Sequence, residues 1–141
     1  MIITPNAVVS GVVSALVGND YTVYKETMTK PKYPHCFVEN PSTTVVKQGR
    51  LFQFNHFISL QYRENAEPST VGDIHKRLET NALKIVMATD SILADGQKLY
   101  AHDVTCEKVD GILQVNMTFI VKAKASEVDD EFMRTLQIIE N

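Results

Sequence analysis

The chain has 141 residues, of which 44% are hydrophobic and 22% are charged, a composition typical of one globular domain with its own core. Its formal charge is −3, so the overall field neither recruits nucleic acid nor indicates a polybasic membrane anchor. The apolar run AVVSGVVSALVG is too short to span a bilayer and has no basic flank, so we expect an intracellular protein with no membrane partner.

The first predicted element is a short helix. Thr4 and Pro5 have the residue types of an N-cap and a first helical position, and Gly18 with Asn19 ends the pattern. Apolar residues recur between these limits at helical spacing: Val8, Val9, Val12, Ala15 and Leu16.

Two short strands are predicted next. YTVYKE favours the first, and KPKYPHCFVEN favours a proline-bounded turn that leads into the second, over residues 36–39. The following stretch, NPSTTVVKQG, is polar and ends in glycine. It is therefore predicted to be an exposed connection with at most a little strand around Val45 and Val46.

The most regular strand pattern in the chain is RLFQFNHFISLQYR, residues 50–63. Phe52, Phe54, His56, Ile58, Leu60 and Tyr62 fall on one face, and the polar Gln53, Asn55, Ser59 and Gln61 fall on the other. Thr70 and Asp73 then resemble a capping box at the start of a long helix. Its predicted inner face, which should lie across the sheet, carries Val71, Ile74, Leu78, Ala82 and Ile85.

A β-hairpin is predicted around Asp110-Gly111, where a type I′ turn requires positive φ at both loop residues. The chain enters it through the turn at residues 94–96. The predicted apolar face pairs Cys106 with Val115, Val104 with Met117, His102 with Phe119, and Tyr100 with Val121. The predicted polar face pairs Glu107 with Gln114, Thr105 with Asn116, and Asp103 with Thr118.

A final helix is predicted within SEVDDEFMRTLQIIEN, residues 126–141. The element order is then α-β-β-β-α-β-β-α. This order describes a single α+β domain over residues 1–141, with a mainly antiparallel sheet and helices packed on one face.

Residues that carry chemistry are few. Nucleotide-binding loops, zinc-protease motifs, nucleophile elbows and CxxC pairs are absent from the sequence, and the four histidines are scattered. The acids at 129–131 are explained by the dipole of the predicted last helix. We therefore predict no catalytic residue, no metal site and no cofactor, and we expect Cys36 and Cys106 to be small buried thiols.

An ordered set of short patterns resembles a known family. KPKYPHCFVEN, the aromatic strand RLFQFNHFISLQY, Asn65 before a helix, VDGILQVNMTFIV and a closing FMRTL together resemble the tail terminator, or tail completion, proteins of long-tailed bacteriophages and prophages of Gram-positive hosts. The likeness spans nearly the whole chain, apart from NPSTTVVKQG and, except for FMRTL, the residues after Ala123.

The resemblance implies a structural protein of the virion and not an enzyme. Such proteins are assembled in the host cytoplasm into a ring, usually a hexamer, that caps the tail tube. The expected partners are further copies of the chain, the major tail tube protein and the head-tail connector protein, while DNA passes through the lumen without specific binding. The predicted assembly residues are Thr43, Thr44, Lys47, Gln48, Arg50, Gln114, Asn116 and Thr118.

Two other hypotheses remain open at the level of sequence. One is a different head-tail joining ring protein with a similar small α+β fold. The other is a small enzyme or ligand-binding domain with a pocket around His56, His102 and Tyr100. The contact role of residues 42–50 likewise stands beside a second interpretation, that of an idle surface loop.

Overall fold

A computed structural model describes residues 2–25, 31–64 and 72–124. Within these ranges the elements in chain order are α1 (Pro5–Val17), β1 (Val23–Tyr24), β2 (His35–Gln48), β3 (Leu51–Arg63), α2 (Gly72–Thr89), β4 (Ser91–Ala94), β5 (Gln97–Val109) and β6 (Ile112–Lys124). The strands form one curled sheet in the order β1-β2-β3-β6-β5-β4, in which β1 is parallel to β2 and the other pairs are antiparallel. The fold is therefore α+β, as predicted.

The start of α1 follows from its first two residues. The Thr4 side chain accepts a hydrogen bond from the Ala7 amide at 3.2 Å, and Pro5 occupies the first helical turn, where its missing N–H costs nothing. Farther along, a Cβ added to Gly11 would lie 2.6 Å from the carbonyl oxygen of Leu93. Glycine at this position therefore allows α1 and β4 to approach closely.

The centre of the sheet is the pairing of β3 with β6, which runs without a register shift from Leu51 opposite Lys124 to Tyr62 opposite Leu113. One face of this pair, the core face, is buried together with residues of α1 and α2. The other face, which we call the polar face, carries Gln53, Asn55, Ser59 and Gln61 of β3 and Gln114, Asn116 and Thr118 of β6. The predicted alternation of β3 is confirmed.

The predicted connection at NPSTTVVKQG is wrong, because these residues form the second half of β2. A β-bulge lies between Glu39 and Ser42, and residues 42–48 then pair with residues 51–57 of β3. Pro41 suggests a loop in the sequence, but proline is tolerated at bulges and on outer strands. Gly49, with φ of 60°, allows the tight turn from β2 into β3.

The predicted element order also lacks β4. The SILA tetrapeptide pairs with residues 97–100 of β5, and its Ile92 and Ala94 are buried. Four residues are too few for an alternating pattern to identify a strand from the sequence. The predicted helix from Ser126, the acids at 129–131 and the capping residue Thr70 lie outside the described residues.

The hairpin of β5 and β6 follows the predicted register from Val109 only as far as Thr105, which lies opposite Asn116. A bulge then shifts β5 by one residue, so that His102 lies opposite Thr118 and Ala101 opposite Phe119. The predicted pairs of His102 with Phe119, of Tyr100 with Val121 and of Asp103 with Thr118 are therefore wrong. Asp103 has φ of 52°, the left-handed conformation that Asp tolerates better than most residues.

The predicted type I′ turn is confirmed, because φ is 51° at Asp110 and 75° at Gly111. We expect Gly111→Val to reduce the free energy of unfolding by about 1–3 kcal/mol, since a β-branched side chain is strained at this φ. Glu107→Val, in the exposed extended part of the same hairpin, should change it by less than about 0.5 kcal/mol. Thermal or urea unfolding measures both, and equal small effects would contradict the turn assignment.

Candidate assembly surface

The polar face of the sheet is crossed by a network of amide and hydroxyl side chains. Gln114 Nε2 donates to Ser59 Oγ at 2.7 Å and to Asn116 Oδ1 at 3.1 Å. Between β3 and β2, Asn55 Nδ2 donates to Thr44 Oγ1 at 3.1 Å. These bonds fix the side-chain rotamers before any partner arrives, so a contact on this face loses little conformational entropy.

The predicted assembly residues divide between the two faces and a turn. Those that share the polar face, judged by their cross-strand partners, are Thr44, Gln48, Gln114, Asn116 and Thr118. Thr43 and Lys47 lie on the core face, opposite His56 and Phe52, and Arg50 lies in the turn between β2 and β3. The structure therefore brings five of the eight residues to one face, where Thr118 is buried and the other four are exposed or half-buried.

Thr43 has a structural contact of its own. Its Oγ1 lies 3.0 Å from Nδ1 of His56, whose Nε2 lies 3.1 Å from the carbonyl oxygen of Ile3. A carbonyl oxygen only accepts, so Nε2 carries the proton and Nδ1 of the neutral ring accepts from the Thr43 hydroxyl. Thr43 thus helps to hold the segment before α1 against β3.

One end of the sheet is basic. Lys47, Arg50, Lys122 and Lys124 lie within residues 43–55 and 119–124, which contain no Asp or Glu; we call these four residues the basic end. Lys47 Nζ lies 5.5 Å from the centroid of the Phe52 ring, a cation–π distance. A partner that contacts this end would be favoured by acidic side chains.

Sequence reasoning missed the two lysines of β6 and the exposed aliphatic residues beside them. Lys122 and Lys124 alternate with the buried Val121 and Ala123, so the period of two in VKAK was the available signal. The sequence gives no separate signal for the exposed Val45, Val46 and Leu51, because the segment around them is predicted to be a connection.

The pocket suggested around His56, His102 and Tyr100 does not form. His56 is buried on the core face, with both ring nitrogens in hydrogen-bond contact. His102 is exposed and lies on the polar face, because the bulge in β5 reverses its side. These two histidines therefore lie on opposite faces of the sheet.

An apolar groove of about 370 Å³ lies between α2 and the outer part of the sheet, lined by Glu79, Ala82, Leu83, Val86, Cys106, Lys108 and Leu113. Leu83 in its lining is 70% exposed, and Met87, one turn farther along α2, is 79% exposed. Cys106 is exposed here, which contradicts the prediction of a buried thiol, whereas Cys36 is buried as predicted. Burial raises the pKa of Cys36 to about 12, so it is the less reactive of the two thiols.

Within the described ranges, no three His, Cys, Asp or Glu side chains converge on a point that could hold a metal ion. Neither α1 nor α2, the helices of the described part of the chain, combines the length and apolarity needed to cross a membrane. No protein-family model and no curated protein sequence matches the chain.

The stability of the fold should decrease as the pH falls below about 6.5. Burial lowers the pKa of His56, and the hydrogen bond to Ile3 only partly opposes this effect. Between the lowered pKa and the ordinary value of 6.5, the unfolded chain binds more protons than the folded chain, so acid favours unfolding.

The measurement is urea unfolding at pH about 7.5 and about 5 for the wild type and His56→Gln. We expect the variant to lose less stability on acidification than the wild type does. His35 serves as the matched control, since burial also lowers its pKa: His35→Gln should remove a separate part of the same loss. Equal losses in the wild type and His56→Gln would show that His56 is not responsible.

We expect EDTA to leave the melting temperature of the full chain unchanged, because the sequence predicts no metal site. Added Mg²⁺ or Ca²⁺ should not raise it either. Scanning calorimetry with and without chelator checks this, and a clear decrease with EDTA would reveal a bound metal that contributes to folding.

Proposed function

We propose that the chain is a structural tail terminator, a protein that caps a phage tail tube as a ring. The observation that carries the proposal is the polar face, a sheet surface whose central side chains are mostly uncharged amides and hydroxyls, several of them partly exposed and hydrogen-bonded to each other. Such a surface suits contacts between rigid proteins. The family resemblance of the sequence supports the same function.

In this proposal the helices cover one face of the sheet and leave the other for contacts. Head-to-tail contacts use two different surfaces on each subunit, and closure of the ring, with the hexamer as the expected size, stops growth. The ring then ends tube polymerisation and presents a new surface to the head-tail connector protein. DNA would pass through the lumen without specific binding.

The basic end would determine how the ring is oriented on the tube. Its four cations lie together, in a chain whose overall charge is −3. Placed toward the tube or toward the connector, this end would favour an acidic partner and disfavour a basic one. The contact would therefore fix which side of the ring faces the tube.

The direct test is electron microscopy of tail tubes mixed with the purified protein. The tubes should be assembled from the tube protein encoded nearest to this chain. A ring on one end of each tube, together with an arrest of tube growth, is the expected result. Rings that bind the connector and never the tube would instead identify another head-tail joining protein.

The basic end should matter for capping and not for folding. We expect Arg50→Ala combined with Lys124→Ala to weaken tube capping about tenfold, because two charges at the contact are lost. Lys76→Ala with Lys84→Ala, which removes two exposed cations from α2, is the matched control and should cap normally.

Capped tube ends are counted at several protein concentrations, and the melting temperature of each variant is measured alongside. Both pairs of substitutions should change the free energy of unfolding by less than about 0.5 kcal/mol. Normal capping by the Arg50/Lys124 variant would show that this end does not contact the tube.

A further inference from the structure

The long strands β2 and β5, which lie next to the short terminal strands β1 and β4, each have a free edge. β1 pairs only with Cys36 and Phe37 of β2, and β4 pairs only with residues 97–100 of β5. In the part of the chain that the structure describes, no strand pairs with the outer sides of residues 42–48 in β2 or 105–109 in β5. Each of these two runs, called the β2 edge and the β5 edge, begins just beyond a bulge and is regular from there.

The side chains of the two edges favour strand pairing. The β2 edge has the sequence STTVVKQ, rich in β-branched residues, and its Val45 and Val46 are 54% and 41% exposed. Val109 of the β5 edge is also exposed. Unpaired backbone groups beside exposed aliphatic side chains form a template for another strand.

The charges of the two edges are opposite. Residues 103–110, which contain the β5 edge, carry the acids Asp103, Glu107 and Asp110 and one lysine, Lys108. That lysine is paired with Glu79 of α2 at 2.6 Å. Residues 42–50, which contain the β2 edge, carry Lys47 and Arg50 and no acid. Pairing either edge with its own copy would bring like charges together, whereas pairing unlike edges would not.

We propose that the β2 edge of one copy pairs with the β5 edge of the next copy. This inference rests on the proposed function and deepens it, because it names the two surfaces of the head-to-tail contact. β2 and β5 run in opposite directions within the sheet, so copies in the same orientation bring these edges together as an antiparallel pair.

The positions of the two edges along the strand direction set the geometry of the assembly. Val45 is level with Val121 of β6, and Cys106, which lies on the same face, is level with Val115, six residues away along the same strand. That stagger is about 20 Å over a width of four strands, about 19 Å. A closed ring therefore needs strands tilted by about 46°, at the upper end of the 35–45° typical of barrels.

Cys106 lies on the β5 edge and allows a direct test by cross-linking. It shares the core face with Val45 and Lys47, whereas Thr44 and Val46 lie on the opposite face. We expect Val45→Cys or Lys47→Cys to form a disulfide with Cys106 of the next copy when oxidised glutathione is added. Thr44→Cys and Val46→Cys are the matched controls, because they lie on the same edge with the opposite orientation.

The readout is the ladder of cross-linked species on a gel without reductant. At least one core-face variant should give about fivefold more cross-linked protein than either control. The buried Cys36 should stay reduced in all four variants. In the wild type, assembly should also slow alkylation of Cys106.

The other outcomes separate this inference from the proposed function. Rings that cap tubes but give no face-dependent cross-link would overturn the edge contact and leave the function standing. Face-dependent cross-links in oligomers that never cap tubes would leave the edge contact and reject the function. A monomer in which Cys106 resists alkylation would overturn the edge contact, because the chain's own residues would then cover the β5 edge.

Discussion

The unbroken register between β3 and β6 determines which face of the sheet each residue of these two strands occupies. Side chains alternate with a period of two, so a slip of one residue would move Gln114 and Asn116 into the core and Val115 and Met117 out of it. Each buried polar group without a partner would cost about 1–3 kcal/mol. The twelve pairs from Leu51 to Tyr62 therefore resist a slip together, and the core face and the polar face stay distinct over the length of the sheet.

The strands β2 and β5, which flank this central pair, are less constrained, and each of them contains a bulge. In β2 the bulge accommodates Pro41, and Asn40 Nδ2 donates to the carbonyl oxygens of Ser42 and Phe57 at 2.8 and 2.7 Å. In β5 it places Asp103 at positive φ. Beyond each bulge the strand is regular and one of its sides has no strand partner within the described residues, so each bulge marks where the regular part of a free edge begins.

Local signals in the sequence predicted the parts of the fold that depend on neighbouring residues. The cap at Thr4, the alternation of β3 and the turn at Asp110-Gly111 each require only a few adjacent positions. The position of His102 was not predictable in this way, because one bulge residue reverses every side chain beyond it. Similarly, Pro41, the polar residues around it and Gly49 indicate a loop, and they outweighed the β-branched run at residues 43–46, which favours a strand. The five assembly residues on the polar face depended on the β6 register and on the missed pairing of this run with β3.

In the proposed ring, short edges have a kinetic consequence. A contact of five to seven residues between two copies is small, so each contact alone should be weak and reversible. The exposed valines of the β2 edge should therefore not hold several copies together in a linear assembly that fails to close. The last contact that closes the ring is different, because its two edges are already held at a high effective concentration. Closure therefore stabilises all contacts at once, and the tilt required by the stagger decides whether closure occurs. A free edge that normally favours aggregation would thus be tolerated because the closed assembly leaves no edge exposed.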